Sequence, residues 1–383
     1  MLRFLILLAL GGGTLHAETI LALPFFNHTG SPNLDWIGDS VAETLRDAMT
    51  TEGVLVLDRA DRLEGYRRLS LRWGAQLTHA SILKIGEQLD ASQVVYGWFE
   101  TPSKSTLRIV ARILNLKATA QGPELGETGS LDDLAILEYR LSWDVLHQLN
   151  WKPLPTLEAF LQARPPVRLD AVESYIRGLL ATTPDQRHLF FTRSARLDPN
   201  YSQPCFQLGK IFWGRKDYKI AADWLERVAR SDPHYLEAQF FLGLCRYNMA
   251  NFNGAEQCFQ TVAAAVPLNE VYDDLGAAQS RLNESEAALA SFRKALDGDT
   301  NDPDYHFNVG YCLWRANRFE DAVDSLRAVV DRNPSDTEAT SLLGRALKKE
   351  GPRPGDPKSE ARERLKTNYE ETAFRQLQAE LGK

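Results

Sequence analysis

Two rhythms of apolar and polar residues divide the chain. In the first part, short apolar runs alternate with helical stripes. Thr19 to Phe25 (TILALPF) has the length and content of a buried strand. Across 33–51, Ile37, Val41, Leu45 and Met49 recur every fourth position, which places them on one helical face. Residues 53–57 (GVLVL) predict a strand and 60–69 a helix. Thr78 is placed to cap a helix running to Leu89, with its stripe at Ile82, Ile85 and Leu89. Val94 to Phe99 predicts a buried strand. In 107–116, Leu107, Ile109, Ala111 and Ile113 alternate with polar positions that include Arg108 and Arg112, the pattern of a half-buried strand. A turn follows at 121–126, then a helix over 131–149. These elements predict an α/β domain over 18–150.

The second rhythm is longer. Gly209, Gly243, Gly276, Gly310 and Gly344 recur at one nearly constant interval. That interval, about 34 residues, is the period of stacked helical hairpins. Small residues fall in register on the second helix of each hairpin, at Ala221, Ala255, Ala288 and Ala322. Phe259 and Phe292 follow at a large position, and Pro199, Pro233, Pro267 and Pro334 close second helices, because proline lacks the backbone donor a helix needs. The array is irregular in places. Gly178 stands closer to Gly209 than the period requires, so the first repeat is short, and the DGDTND stretch at 297–302 lengthens one junction. Between the two parts, 151–169 holds Pro153, Pro155, Pro165 and Pro166, which predicts a stiff linker with a short helix at 157–163. The last unit breaks in the GPRPGDP stretch at 351–357. The charged segment 359–381 has a helical pattern, and 351–383 is expected to form a capping helix or a tail that binds a partner.

The glycine, alanine and proline pattern over 170–350 resembles tetratricopeptide repeats, in five to six units. The first part resembles the TolB amino-terminal-like domain, related to the domain of curli-secretion lipoproteins. That resemblance rests on LPFFNHTGSPNLDWIGDSVAETLRDAM, VLVLDRADRL, KIGEQLDASQVVYGWFE and LRIVARILNL, which occur in order over 19–150. It implies a small mixed sheet covered by helices in a protein of the bacterial envelope. The family's TG turn after the fourth strand is replaced here by Lys117-Ala118-Thr119. The expected fold class is therefore a small mixed-sheet α/β domain followed by a tetratricopeptide-repeat α-solenoid.

Arg3, the apolar run Phe4 to Leu10 and the end Leu15-His16-Ala17 read as a cleaved signal peptide over 1–17. The run is shorter than the ~20 residues that span a bilayer. No cysteine follows it for lipoprotein acylation, so the expectation is a periplasmic or secreted bacterial protein starting near Glu18. A net charge of -7 gives no global field for nucleic acid. Cys205, Cys245, Cys258 and Cys312 all lie in the repeat half. Only Cys245 and Cys258, on the two helices of one repeat, have a spacing that permits a disulfide; the other reading is buried free thiols.

No phosphate loop, dinucleotide fingerprint or HExxH motif occurs. Gly38-Asp39-Ser40-Val41-Ala42 approaches a nucleophile-elbow pattern but lies inside an amphipathic helix. No enzyme, cofactor or metal is expected. The candidate site follows from the repeat resemblance, which assigns first-helix positions to the concave groove. These are Phe206, Lys210 and Trp213, then Glu237, Phe240, Leu244 and Tyr247, then Asp273, then Phe307, Tyr311 and Trp314, and finally Arg345 and Lys348. Aromatic residues along such a line either bind a partner or fill the core of a tightly wound solenoid. The expected function is a non-enzymatic scaffold that holds a peptide or protein partner in the groove. The alternative is a small-molecule-sensing or envelope-assembly module acting, or self-associating, through the α/β domain, with a crevice near Phe25 to His28.

Overall fold

The computed structural model describes residues 18–381 apart from 104, 151 and 354–360. The expected export segment, 1–17, lies outside the described residues. The first part is a six-stranded mixed sheet. Strands β1 (Ile20–Ala22) and β2 (Phe26–Asn27) run parallel to β3 (Gln93–Ser103), and β4 (Thr106–Asn115) runs antiparallel to β3. Strands β5 (Ala120–Gln121) and β6 (Leu125–Ser130) pair antiparallel with β4. Strand alternation divides the apolar side chains between two faces. Ile20, Ala22, Val95, Leu107, Ile109, Ala111 and Ile113 face α1 (Trp36–Thr51) and α4 (Leu134–Leu149). Leu21, Leu23, Val94 and Leu114 join Tyr66 of α2 (Arg59–Arg68) and Ile82 and Ile85 of α3 (His79–Gln88) in a separate cluster.

Two expectations change here. The 53–57 run makes only one bridge, Val56 to Ile20, with Ile20 N–H donating to Leu55 and Leu57 N–H to Ile20. It cannot extend, because Gly53 turns at φ +81° on one side and Asp58 caps α2 on the other. The stretch expected as a turn runs into β6, whose sequence LGETGS lacks apolar alternation because its outer side is solvated.

The second part is a stack of helical hairpins: α6 (Leu169–Leu180) with α7 (Pro184–Leu197), α8 (Gln203–Gly214) with α9 (Tyr218–Leu225), and α10 (Tyr235–Asn248) with α11 (Phe252–Ala265). Then follow α12 (Asn269–Arg281) with α13 (Ser285–Gly298), α14 (Pro303–Arg315) with α15 (Phe319–Arg332), and α16 (Thr337–Leu347). The glycines sit where paired helices touch. A Cβ on Gly209 would lie 2.5 Å from Leu225, on Gly243 2.7 Å from Phe259, on Gly276 2.7 Å from Phe292 and on Gly310 2.8 Å from Leu326. The step along the chain from glycine to partner is the same in all four hairpins. Gly178 meets Phe191 by a shorter step, so the shortening of the first repeat falls within its own hairpin. Gly344 has nothing within 4 Å among the described residues, where no second helix packs on α16. Ala221, Ala255, Ala288 and Ala322 are fully buried.

The proline-rich connector holds a short helix, α5 (Leu157–Gln162), packed against the first part rather than standing clear of it. Phe160 is fully buried and Arg164 donates to Glu52 at 2.9 Å. One apolar core runs from Ile37 and Leu45 of α1 through Tyr175 of α6 to Phe206 of α8. The sheet domain and the first hairpins are therefore welded together. The four cysteines are free and buried. No helix among the described residues is long and apolar enough to cross a membrane.

The 359–381 pattern also resolves differently. Residues 361–370 form neither helix nor strand and bend at 367–368, and a helix, α17, occupies only Glu371–Leu381. This stretch lies against the first helices α10, α12 and α14.

Candidate functional site

The line of first-helix residues meets this C-terminal segment. Phe206, Phe240, Phe307, Tyr311 and Trp314 are all buried, at most 2% exposed. Part of that burial is internal. Phe206 stacks on His234 with centroids 4.7 Å apart, and Phe307, Tyr311 and Trp314 form a stacked run. Trp314 also donates its indole N–H to the Glu350 carbonyl at 2.8 Å, under the Arg345 guanidinium. The rest comes from the segment. Tyr369 sets its ring edge-on to Phe240 at 5.0 Å, and the Arg364 guanidinium lies 3.7 Å over Phe307. Lys210 is exposed with its ammonium over Phe206 and Phe241. Trp213 is half-buried against Tyr218 and Phe241. Lys348 is exposed at the end of α16, and Arg345 donates to the Gly351 carbonyl at 2.6 Å. Leu244 and Asp273 are fully buried. Core packing and groove contact thus coexist along one line of residues.

The segment is read first through its backbone. Asn308 on α14 accepts from Arg364 N–H at 2.8 Å and donates to Arg364 C=O at 2.9 Å, as a neighbouring strand would. Asp274 on α12 accepts from Lys366 N–H at 2.8 Å. Asn308 and Asp274 each stand two positions before a spaced glycine, so successive hairpins read alternate backbone groups of the segment. Glu270 accepts from Glu370 N–H at 3.1 Å. These partners explain why 361–370 forms no helix: the amides of Arg364, Lys366 and Glu370 and the Arg364 carbonyl are satisfied from the repeats.

A profile for the tetratricopeptide repeat matches residues 206–270, 274–337 and 313–351. The hairpins from α8 onward are tetratricopeptide repeats. Stacked repeats of this kind present extended concave binding surfaces. The anaphase-promoting complex subunit CDC16 of Saccharomyces cerevisiae is 31% identical over 74 residues, which are 19% of this chain and 9% of that subunit. The chain thus spans under a tenth of that relative's length. Among solved structures, MamA 41-end from Desulfovibrio magneticus RS-1 is 23% identical, covering 42% of this chain and 92% of that one at a TM-score of 0.38. YrrB, described as a tetratricopeptide-repeat protein with an unusual peptide-binding site, is 18% identical, covering 42% of this chain and 84% of its own at 0.37.

Charge is sorted across the repeats' concave face. Glu363 enters a basic corner: Arg281 at 2.5 Å, Arg315 at 3.2 Å, and the hydroxyls of Ser280 at 2.6 Å and Tyr247 at 3.1 Å. Arg364 pairs with Asp336 at 2.8 Å, Asp304 at 3.2 Å and Glu338 at 3.3 Å. Lys366 pairs with Asp302 at 2.8 Å and Asp304 at 2.9 Å. Tyr369 donates to Glu237 at 2.7 Å. Burial alone would raise Glu237. The His234 ring 2.6 Å away and the Tyr369 hydroxyl overcome it and hold the carboxyl near 2. Asp273 and Asp274 are fully buried, and that desolvation pushes both well above the usual carboxylate range.

Beyond Tyr369 the segment reaches the sheet domain. Phe374 is buried, and Arg375 bonds Asp61 at 2.5 Å and Asp58 at 3.3 Å at the start of α2. A cavity of about 560 Å³ remains beneath α17, lined by Arg46, Asp47, Tyr175, Phe206, Lys210 and His234 among others. It does not coincide with the crevice expected near Phe25 to His28, where Phe25 N–H instead bonds the Gly38 carbonyl at 3.0 Å. Arg59 ties Asp39 of the elbow-like stretch into an ion pair at 2.8 Å, and Ser40 is buried. Among the described residues, no group of three or more His, Cys, Asp or Glu is placed to hold a metal ion.

Sequence reasoning named the aromatic line but missed Asn308, Asp274, Arg281, Arg315 and every residue of the C-terminal segment. A signal was present. Asp273, Asp274 and Asn308 are polar side chains on first helices at positions facing a neighbour, where an apolar residue would serve packing better.

Proposed function

We propose that this protein is a non-enzymatic binding scaffold whose repeats hold an extended stretch of polypeptide along their concave face. One observation carries the reading: Asn308 pairs with both the N–H and the C=O of Arg364 while Asp274 takes the next alternate N–H. Main-chain bonds of this kind give affinity to an extended peptide of any sequence, and side-chain pockets add specificity. The welded sheet domain supplies a second surface at a fixed angle. Its likeness to TolB amino-terminal-like domains and the export pattern of 1–17 support a place in the bacterial envelope, periplasmic or secreted, with an envelope protein as partner.

Two measurements test this. A photo-reactive residue at Lys348 or Trp213, on the groove rim, should crosslink a partner in cells, and excess peptide of the 361–370 sequence should compete that crosslink away. Crosslinks that persist at saturating peptide contradict the groove assignment. For location, N-terminal sequencing of protein released by osmotic shock should begin near Glu18; intact protein retained in the cytoplasm contradicts export.

A further inference from the structure

The side chains of the C-terminal segment enter chemically distinct places in a fixed order. Glu363 meets two arginines and two hydroxyls; Arg364 meets three carboxylates; Lys366 meets two; Tyr369 meets Glu237 and the edge of Phe240. We propose that the concave face selects an extended segment of a partner protein in which an acidic residue is followed directly by a basic one, by a second basic residue two positions on and by a tyrosine three further, and that residues 361–370 are an internal competitor for that segment. The inference rests on the groove reading above and adds its specificity.

Charge and pitch set the selectivity. Without the segment, Asp302, Asp304, Asp336 and Glu338 lose Arg364 and Lys366, while Arg281 and Arg315 lose Glu363. An occupant with another charge order would leave like charges facing each other, which repel. The pitch is fixed because Asn308 and Asp274 bond alternate backbone amides, so shifting the register by a single position moves every side chain into the wrong pocket. Over 361–370 the segment contributes no helix or strand, and Glu363, Arg364 and Lys366 are held by the repeats, while Tyr369 also packs on Phe374 and Glu370 caps α17; an equivalent stretch of another chain makes the same bonds at the first three positions. Tethering gives the internal copy an effective concentration on the order of millimolar, so a partner competes well only once that copy is weakened or its own affinity is high.

The test uses the full chain and a fluorescent peptide of the 361–370 sequence. In one variant, Glu363→Ala and Lys366→Ala weaken the internal copy without touching the groove. Circular dichroism checks the fold, and hydrogen exchange of residues 361–370 checks release. The peptide should bind this variant at least tenfold more tightly than it binds the unaltered chain. A peptide with the Glu363 and Arg364 equivalents exchanged should lose at least tenfold. If the exchanged peptide binds equally well, the charge order is refuted while the groove reading stands. If no peptide binds although the internal copy is released, both fail. If the internal copy stays protected, its side chains do not hold it, and the inference fails. A doubled mass by light scattering, with peptide excluded, would make a second copy the occupant and overturn the assignment to a partner.

Discussion

Asn308→Ala removes the side chain that joins the repeats to the segment's backbone. Asn308 is fully buried and makes two bonds to Arg364, each worth roughly 1 kcal/mol net. Its amide also donates to Asp273 at 2.9 Å, and leaving that buried carboxyl group without the donor costs a further ~1–3 kcal/mol. With the segment seated, the total is about 3–5 kcal/mol. The molecule escapes most of that by releasing the segment, so the observable is release and not global unfolding. Loss of about 2 kcal/mol of docking energy raises the released population roughly 30-fold. Trypsin reads this population, because the bonds after Arg364 and Lys366 are presented for cleavage only when the segment is free, and at low protease the rate follows the open fraction. The expected result is a 10- to 100-fold (about 1.4–2.7 kcal/mol) faster cut at 364 and 366, with far-ultraviolet circular dichroism unchanged. A rate within twofold of the parent, in a folded protein, would refute the reasoning.

Further outcomes follow from particular contacts. Burial pushes Glu138 up to about 7, with Thr44 donating to it at 2.9 Å. A carboxyl whose folded value is raised stabilises fully below its unfolded value of 4.5 and loses that contribution as pH rises through about 7. Glu138→Gln should therefore match the parent near pH 4.5 and exceed it by roughly 3 kcal/mol at pH 8 in urea denaturation; parallel pH profiles would contradict this. The spaced glycines should split by neighbour. Gly243→Ala places a Cβ 2.7 Å from Phe259 and should destabilise by ~1–2 kcal/mol, overpacking outweighing helix propensity. Gly344→Ala meets nothing among the described residues and should stabilise by up to ~1 kcal/mol; equal shifts in thermal melting would contradict the packing account.

The repeat half was legible because its physics is periodic. A glycine must face a bulky side chain one fixed step further along the hairpin, and that demand writes itself into the sequence at Gly209, Gly243, Gly276 and Gly310. The sheet domain's main strands were legible for the same kind of reason, since Leu107, Ile109, Ala111 and Ile113 alternate as one buried face. What escaped depends on backbone or distant partners. Strand β6 is polar and is recognised only by its pairing with β4. Residues 361–370 carry a helical pattern, yet Asn308, Asp274 and Glu270, between 56 and 100 residues earlier in the chain, claim their amides. The aromatics named along the first helices are buried, and the contacts of Arg364 and Tyr369 with them could not be read from a local pattern.

The central claim is that the concave face grips an extended polypeptide by its backbone. Hydrogen exchange of the intact chain, resolved to single amides over 361–370, tests it most directly. Arg364 and Lys366 N–H should exchange at least 100-fold more slowly than the exposed N–H of Thr367, which has no partner among the described residues, and Asn308→Ala should remove the protection at Arg364. Uniform exchange at the rate of a free chain would contradict it.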